Sequence, residues 1–197
     1  MNLGLFNTVD MPDGELIYDA NFLSVTEADN LLHTLTEEIN WRQDRIRLFG
    51  TEHPIPRLQN FQGEPGISYL YSNLKLEAEP WHPALDRLKN SLIEPCSTTF
   101  NAVLLNLYRN GQDSMGWHSD DEPELGQNPT IASISLGEER RFLLRRKDDH
   151  NIKREIVLEH GSLLLMRGTL QHFWQHSVPR TQKPREPRIN LTFRHVL

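Results

Sequence analysis

The sequence predicts a mainly β fold with flanking α: a jelly-roll core buttressed by N-terminal helices. Three observations point to it. From about residue 99 onward the apolar residues fall into short runs separated by turn-rich pieces, as in a succession of short strands. Before that point the apolar residues recur with helical spacing in two places. With 197 residues, 37% of them hydrophobic, the chain can bury one sizeable core and would crowd two. A single domain over 1–197 is therefore expected, with 1–98 as the N-terminal portion and 99–197 as the jelly-roll core.

The elements follow in order. Thr26 reads as the N-cap of a first helix, with Glu27 and Asp29 in its first turn and Leu31, Leu32, Leu35 and Ile39 on one face. Pro83, well suited to a first helical position, opens a second short helix that buries Leu85, Leu88 and Leu92. Prolines thicken at 52–65 and at 179–187, and both stretches read as loops. Strands are predicted at 100–109, 131–137, 141–146, 154–159, 162–167 and 188–196. There is no internal repeat and no low-complexity tract.

Composition narrows the function. No apolar run approaches the roughly 18 residues of a membrane span. Met1 to Asp13 carries two acids and no base, unlike a secretory signal, so membrane and secreted proteins are not expected. Cys96 is the only cysteine, which excludes an intramolecular disulfide and a cysteine-built zinc site, and suggests a reducing compartment. No base or cation stands beside it in Glu94-Pro95-Cys96-Ser97, so a plain thiol is expected. The net charge of −6 argues against nucleic-acid binding in bulk, yet its distribution is uneven. Residues 1–50 hold nine acids and three bases, whereas 138–154 hold seven bases and four acids, and 180–194 five bases and one acid.

The last strand is the most informative. Period two puts Ile189, Leu191 and Phe193 on a core face and Arg188, Asn190, Thr192 and Arg194 on the other. Two arginines on one strand face invite an anion. In the strand at 100–109, Val103, Leu105 and Leu107 face one way while Asn106 and Tyr108, which could donate to the same anion, face the other. Downstream, His118 and Asp120 are two apart and can reach one metal ion from an extended chain. A third ligand is available from His172 or His176, and spacing does not choose between them. Two histidines and a carboxylate bound facially leave iron(II) positions open, as in non-haem oxygenases.

Four ordered motifs make the match specific: Asn106-Leu-Tyr108-Arg-Asn-Gly111; His118-Ser-Asp120-Asp-Glu122; Trp174-Gln-His176-Ser-Val-Pro179; and Arg188-Ile-Asn190-Leu-Thr192-Phe-Arg194. Together they resemble the AlkB family of Fe(II)/2-oxoglutarate-dependent dioxygenases, nearest the branch of AlkB homologues two and three. The resemblance implies a double-stranded β-helix core. It implies iron(II) held by His118, Asp120 and His176, and 2-oxoglutarate accommodated by Asn106, Tyr108, Arg188, Asn190, Thr192 and Arg194, with O2 as co-substrate. Upstream, 48–51 and 68–72 are similar to the family's nucleotide-recognition segments. Phe49, Gly50 and Thr51 would form a hairpin tip that wedges into a duplex; Tyr69, Leu70 and Tyr71 would supply rings and packing for an extruded base; Asp121 would contact substrate.

The implied activity is oxidative demethylation of 1-methyladenine and 3-methylcytosine in alkylated DNA, single- or double-stranded, with RNA as a further candidate. Formaldehyde, succinate and CO2 would be released. A monomer is expected, cytoplasmic in a bacterium or nuclear in a eukaryote. The rival readings are a 2-oxoglutarate oxygenase of a protein or small molecule, a zinc hydrolase with the same ligands, and a non-catalytic jelly-roll binding module.

Overall fold

The computed structural model describes residues 7–48, 50–71 and 74–197. In chain order the elements are β1 (Asn7–Val9), β2 (Glu15–Asp19), α1 (Val25–Glu38), β3 (Arg45–Leu48), β4 (Thr51–Pro54), β5 (Leu58–Gly63), β6 (Ser68–Tyr71) and β7 (Leu74–Glu77). Then come α2 (Pro83–Ser91), α3 (Ile93–Cys96), β8 (Ala102–Tyr108), β9 (Met115–His118), β10 (Ile131–Gly137), β11 (Arg140–Arg146) and β12 (Lys153–Leu158). The chain finishes with β13 (Leu163–Arg167), α4 (Leu170–Phe173), β14 (Trp174–Val178) and β15 (Arg188–Arg194).

Two antiparallel sheets carry the fold. The larger has the order β1-β2-β13-β10-β15-β8-β5, the smaller β12-β11-β14-β9, and β3–β4 and β6–β7 are separate hairpins. The outward face of the larger sheet is covered by the helices. Leu35 of α1, Leu85 and Leu88 of α2, and Leu92 beyond it cluster with Val103, Leu105, Ile134, Ile189, Leu191 and Phe193. Each fully buried leucine contributes roughly 1.5–3 kcal/mol of hydrophobic stabilisation. Between the sheets a second cluster joins Tyr108, Ile131, Leu164 and Met166 of the larger to Phe142, Leu144, Leu158, Trp174 and Val178 of the smaller. The period-two reading of the last strand thus sorts its side chains correctly: the apolar set meets the helices, and the polar set points between the sheets.

Two expectations are corrected. Ser24, not Thr26, caps α1, through a capping box in which Glu27 N–H donates to Ser24 Oγ at 3.3 Å and Ser24 N–H to Glu27 Oε2 at 2.9 Å. The stretch 52–65 is not a loop. It holds most of β4 and all of β5, and β5 pairs with β8 from Leu58↔Leu107 to Gly63↔Ala102. Among the described residues seven strands precede residue 99, and three of them, β1, β2 and β5, extend the larger sheet. Residues 179–187 do form a loop.

Candidate metal centre

The smaller sheet brings the two histidines together: His118, ending β9, is in cross-strand register with His176 of β14. Asp120 follows immediately beyond β9. One ligand atom from each of the three lies within 4.8 Å of the others. The imidazole centroids are 4.2 Å apart, and His118 Nε2 is 3.8 Å from Asp120 Oδ1. Phe142 stacks on His176 with centroids 5.1 Å apart.

The protonation states suit a cation. His118 Nδ1 lies 2.9 Å from the Gly116 carbonyl, which can only accept, so Nδ1 carries the proton and Nε2 presents a lone pair. Burial opposes the charge on Asp120, but Arg194 and the two histidines outweigh it and hold the carboxyl at about 2. Burial, reinforced by His118, pulls His176 down to about 3, so its ring is neutral. Arg194 Nη2 donates to Asp120 Oδ2 at 2.9 Å, while Oδ1 is buried with no hydrogen-bond partner. Such an anionic oxygen is costly to desolvate unless something cationic meets it. Two neutral imidazoles and one ionised carboxylate are a donor set for a divalent first-row metal, and the residues fit iron(II).

His172 stands outside this cluster. Its Nδ1 lies 2.6 Å from Asp121 Oδ1 and its Nε2 3.1 Å from Asn128 Oδ1.

Beside the metal centre is a small cavity, of about 30 Å³, whose lining includes Asn106, Tyr108, Ser133, Asn190, Thr192 and Arg194 along with His118, Asp120 and His176. Asn190 donates to Ser133 Oγ at 2.7 Å, and Thr192 Oγ1 donates to Asn190 Oδ1 at 3.2 Å. Asn106 is already engaged, since its Oδ1 accepts from Arg57 Nε at 2.7 Å. Arg140 and Arg188 lie 5.5 and 5.2 Å from the centroid of the Tyr108 ring. Arg188 donates to Ser135 Oγ at 2.9 Å, but its Nε and Nη1 are buried with no hydrogen-bond partner. Burial pulls its pKa down to about 10, so it remains cationic at neutral pH. Unspent donors on a buried cation beside a polar cavity fit a dicarboxylate co-substrate.

The expected substrate contacts separate. Gly50 turns the β3–β4 hairpin with φ of +82°, and Thr51 beside it is exposed. Phe49 lies outside the described residues, as do the side chains of Leu70 and Tyr71. Tyr69 departs from the expected open stacking ring: it is fully buried, with the Arg194 guanidinium 5.4 Å from its ring centroid. Asp121 also departs, turning away to His172 and to Lys147 Nζ at 3.3 Å. The acid that faces the centre is its neighbour Glu122. Its Oε2 is buried without a hydrogen-bond partner, and burial together with Asp120 pushes its pKa up.

Sequence reasoning missed Arg57, Glu122 and Gln171. The Gln171 Oε1 accepts the Asp120 backbone N–H at 2.9 Å, and the residue is buried. Glu122 stood in the quoted motif and could have been found there. Arg57 and Gln171 belong to no pattern.

Comparison with known proteins agrees with this geometry. The family model of the 2OG-Fe(II) oxygenase superfamily matches residues 15–194. The chain belongs to that superfamily, whose members use Fe(II), 2-oxoglutarate and O2. Within it the similarity is to AlkB homologues. Human alpha-ketoglutarate-dependent dioxygenase alkB homolog 3 is 45% identical over 184 residues, 89% of this chain and 64% of its own length. The DNA oxidative demethylase ALKBH2 of Mus musculus is 39% identical over 181 residues, covering 87% and 76%. That of Arabidopsis thaliana is 35% identical over 217 residues, covering 96% and 69%. The chain thus spans a little under two thirds of the human alkB homolog 3 that it matches. The solved structure of OsALKBH1 shares the fold, with a TM-score of 0.67 over 96% of this chain and all of that one, at 16% identity.

Proposed function

We propose that the protein is an oxidative demethylase of N-alkylated bases, 1-methyladenine and 3-methylcytosine, in DNA. The overall change takes N–CH3, 2-oxoglutarate and O2 to N–CH2OH, succinate and CO2; the hydroxymethyl group then leaves as formaldehyde, restoring N–H. The observation that carries the reading is that the His118, Asp120 and His176 donor set meets a cationic arm: Arg194 lines the same cavity, and the buried Arg188 guanidinium lies 5.2 Å from the ring centroid of Tyr108, another lining residue. A zinc hydrolase or a passive jelly-roll module has no use for that arm.

When bound, iron(II) with its co-substrates supplies the oxidation of the methyl C–H bond. The chain's own groups do the rest. His118, Asp120 and His176 would hold the metal on one face and leave the opposite face open. Arg194 keeps Asp120 ionised through the 2.9 Å bond. Arg188 would orient the far carboxylate of the co-substrate against the Tyr108 wall. Glu122, beside Asp120, would offer its carboxyl to the polar edge of an extruded base.

Support for a nucleic-acid substrate comes from the names of the relatives and from the exposed cations of the 179–187 loop. Arg180 and Lys183 are exposed there, and phosphate contact by such groups positions a strand without reading its sequence. Arg185 does not join them, because it pairs with Glu138 and lies 3.7 Å from Glu139.

The test is formaldehyde and succinate release from single-stranded, double-stranded and RNA oligonucleotides carrying either lesion, with His118→Ala and Asp120→Ala as controls. Equal amounts of the two products, lost in both variants, are expected. Succinate without formaldehyde from every oligonucleotide would refute the substrate and leave the oxygenase standing.

A further inference from the structure

The strand that carries His118 is weakly held. β9 is the edge strand of the smaller sheet, bonded only to β14, and the pairing consists of His176↔His118 and Val178↔Met115 with a register shift between them. A bulge of this kind disrupts the ladder locally and leaves the strand free to twist. The distance between the two histidine ligands is set across this irregular pair.

On the opposite face of the sheet a guanidinium spans the gap, in addition to Ser119 just beyond β9, whose Oγ donates to the Trp174 carbonyl at 2.9 Å. Arg145 lies on β11, in register with Gln175 of β14. Its Nε and Nη2 donate to Gln175 Oε1 at 3.0 and 2.8 Å, and its guanidinium carbon lies 4.2 Å from the centroid of the Trp117 ring on β9. Alternation along a strand puts Gln175 and Trp117 outward while their neighbours His176 and His118 point inward. A single guanidinium therefore grips the residue next to each histidine ligand, reaching from β11 across β14 to β9. A bidentate hydrogen bond and a cation over an indole are both directional, so the grip fixes orientation as well as separation.

We infer that Arg145 is a positioning residue for the metal centre, clamping β9 to β14 through Trp117 and Gln175 and so setting the geometry of His118 and His176. The inference rests on those histidines being metal ligands. Groups that orient ligands from outside the coordination sphere typically govern affinity by 10- to 100-fold, and a clamp acting through the backbone belongs at the lower end.

The test measures metal binding without turnover. Wild type, Arg145→Met, Arg145→Lys and Gln175→Ala are titrated with Mn(II) for affinity and with Co(II) for its ligand-field spectrum, and circular dichroism verifies the fold. Arg145→Met is expected to bind Mn(II) about tenfold more weakly and to shift the Co(II) bands. Arg145→Lys, keeping the cation over Trp117, should fall between it and wild type. Gln175→Ala removes only the acceptor, so it reads the same clamp should Arg145→Met fail to fold. Wild-type affinity and spectrum in both Arg145→Met and Gln175→Ala would overturn the inference, as would a lowered melting temperature with an unmoved spectrum. Wild type that binds Co(II) no better than His118→Ala would remove the metal centre itself, and the clamp with it.

Discussion

Replacing Arg188 with methionine should move stability and ligand response in opposite directions. The residue is 1% exposed, has one hydrogen bond, to Ser135 Oγ, and leaves two buried donors without partners. The fall of its pKa from 12.5 to about 10 corresponds to roughly 3 kcal/mol of strain on the charged form. Methionine keeps much of the volume and removes the charge, a change that is neutral or stabilising by about 1–4 kcal/mol for buried ionic groups. At about 2–4 °C per kcal/mol, the ligand-free variant should melt at or a few degrees above wild type. Co-substrate binding should suffer, because truncating one side of a buried, hydrogen-bonded charge pair costs about 2–5 kcal/mol, or about 30-fold to several-thousand-fold in Kd. The assay is thermal unfolding with Mn(II), with and without 2-oxoglutarate. At about 100 times its Kd the ligand stabilises wild type by about 2.7 kcal/mol, and at the same concentration that increment should fall to about 0.9 kcal/mol or less in the variant. A variant that retains the full 2-oxoglutarate response, or that melts well below wild type without it, refutes the assignment of Arg188 as the carboxylate arm.

Other outcomes follow from single contacts. Gln171→Leu removes the acceptor of the buried Asp120 N–H, so it should cost about 1–3 kcal/mol in urea unfolding and weaken Mn(II) binding by about tenfold or more. Ser24→Ala should lose about 1 kcal/mol with its capping box, whereas Thr26→Ala should stay within about 0.5 kcal/mol; equal losses would contradict the cap assignment. Asp113 is opposed by burial, yet the Arg109 guanidinium, at 2.8 and 2.9 Å, and the Arg109 N–H, at 2.9 Å, hold its pKa below 3.8. Its contribution is therefore present above about pH 4 and lost as pH falls through the lower folded value. Asp113→Asn should be about 2 kcal/mol less stable at pH 7, with the gap closing below pH 4; a gap independent of pH would contradict the sign.

The legibility of the sequence followed burial pattern. β15 could be read because one face meets helices and the other a polar cavity, which is alternation in its clearest form. β5 could not, because Gln59, Asn60 and Gln62 are all buried in it. Gln59 donates to Asp44 and Asn60 to Asn40 and Glu79, tying down neighbouring segments from inside a strand, while Gln62 donates to Asn60 Oδ1. A polar run flanked by prolines reads as a loop, whatever satisfies it in space. The candidate pair His118 and Asp120 was visible in local spacing. His176 was separable from His172 only by resemblance, since the deciding fact is a cross-strand register. Arg57, Arg140 and Gln171 act through long-range hydrogen bonds to Asn106, to the carbonyls of Asn110, Asp113 and Pro179, and to Asp120, which leave no periodic trace. Asp121 and Glu122 adjoin, and only the backbone direction beyond β9 decides which of them faces the centre.

The central claim is that His118, Asp120 and His176 together hold iron(II) in a site completed by 2-oxoglutarate. Its most direct measurement is anaerobic titration of the purified chain with Fe(II), followed by 2-oxoglutarate, recording metal stoichiometry and the visible charge-transfer absorption of a 2-oxo acid chelated to iron(II). One iron per chain, with a band that appears only when both are present and is absent in His118→Ala, Asp120→Ala and His176→Ala, is the predicted result. A band undiminished in any of the three variants, or no band from wild type with iron bound, would contradict it.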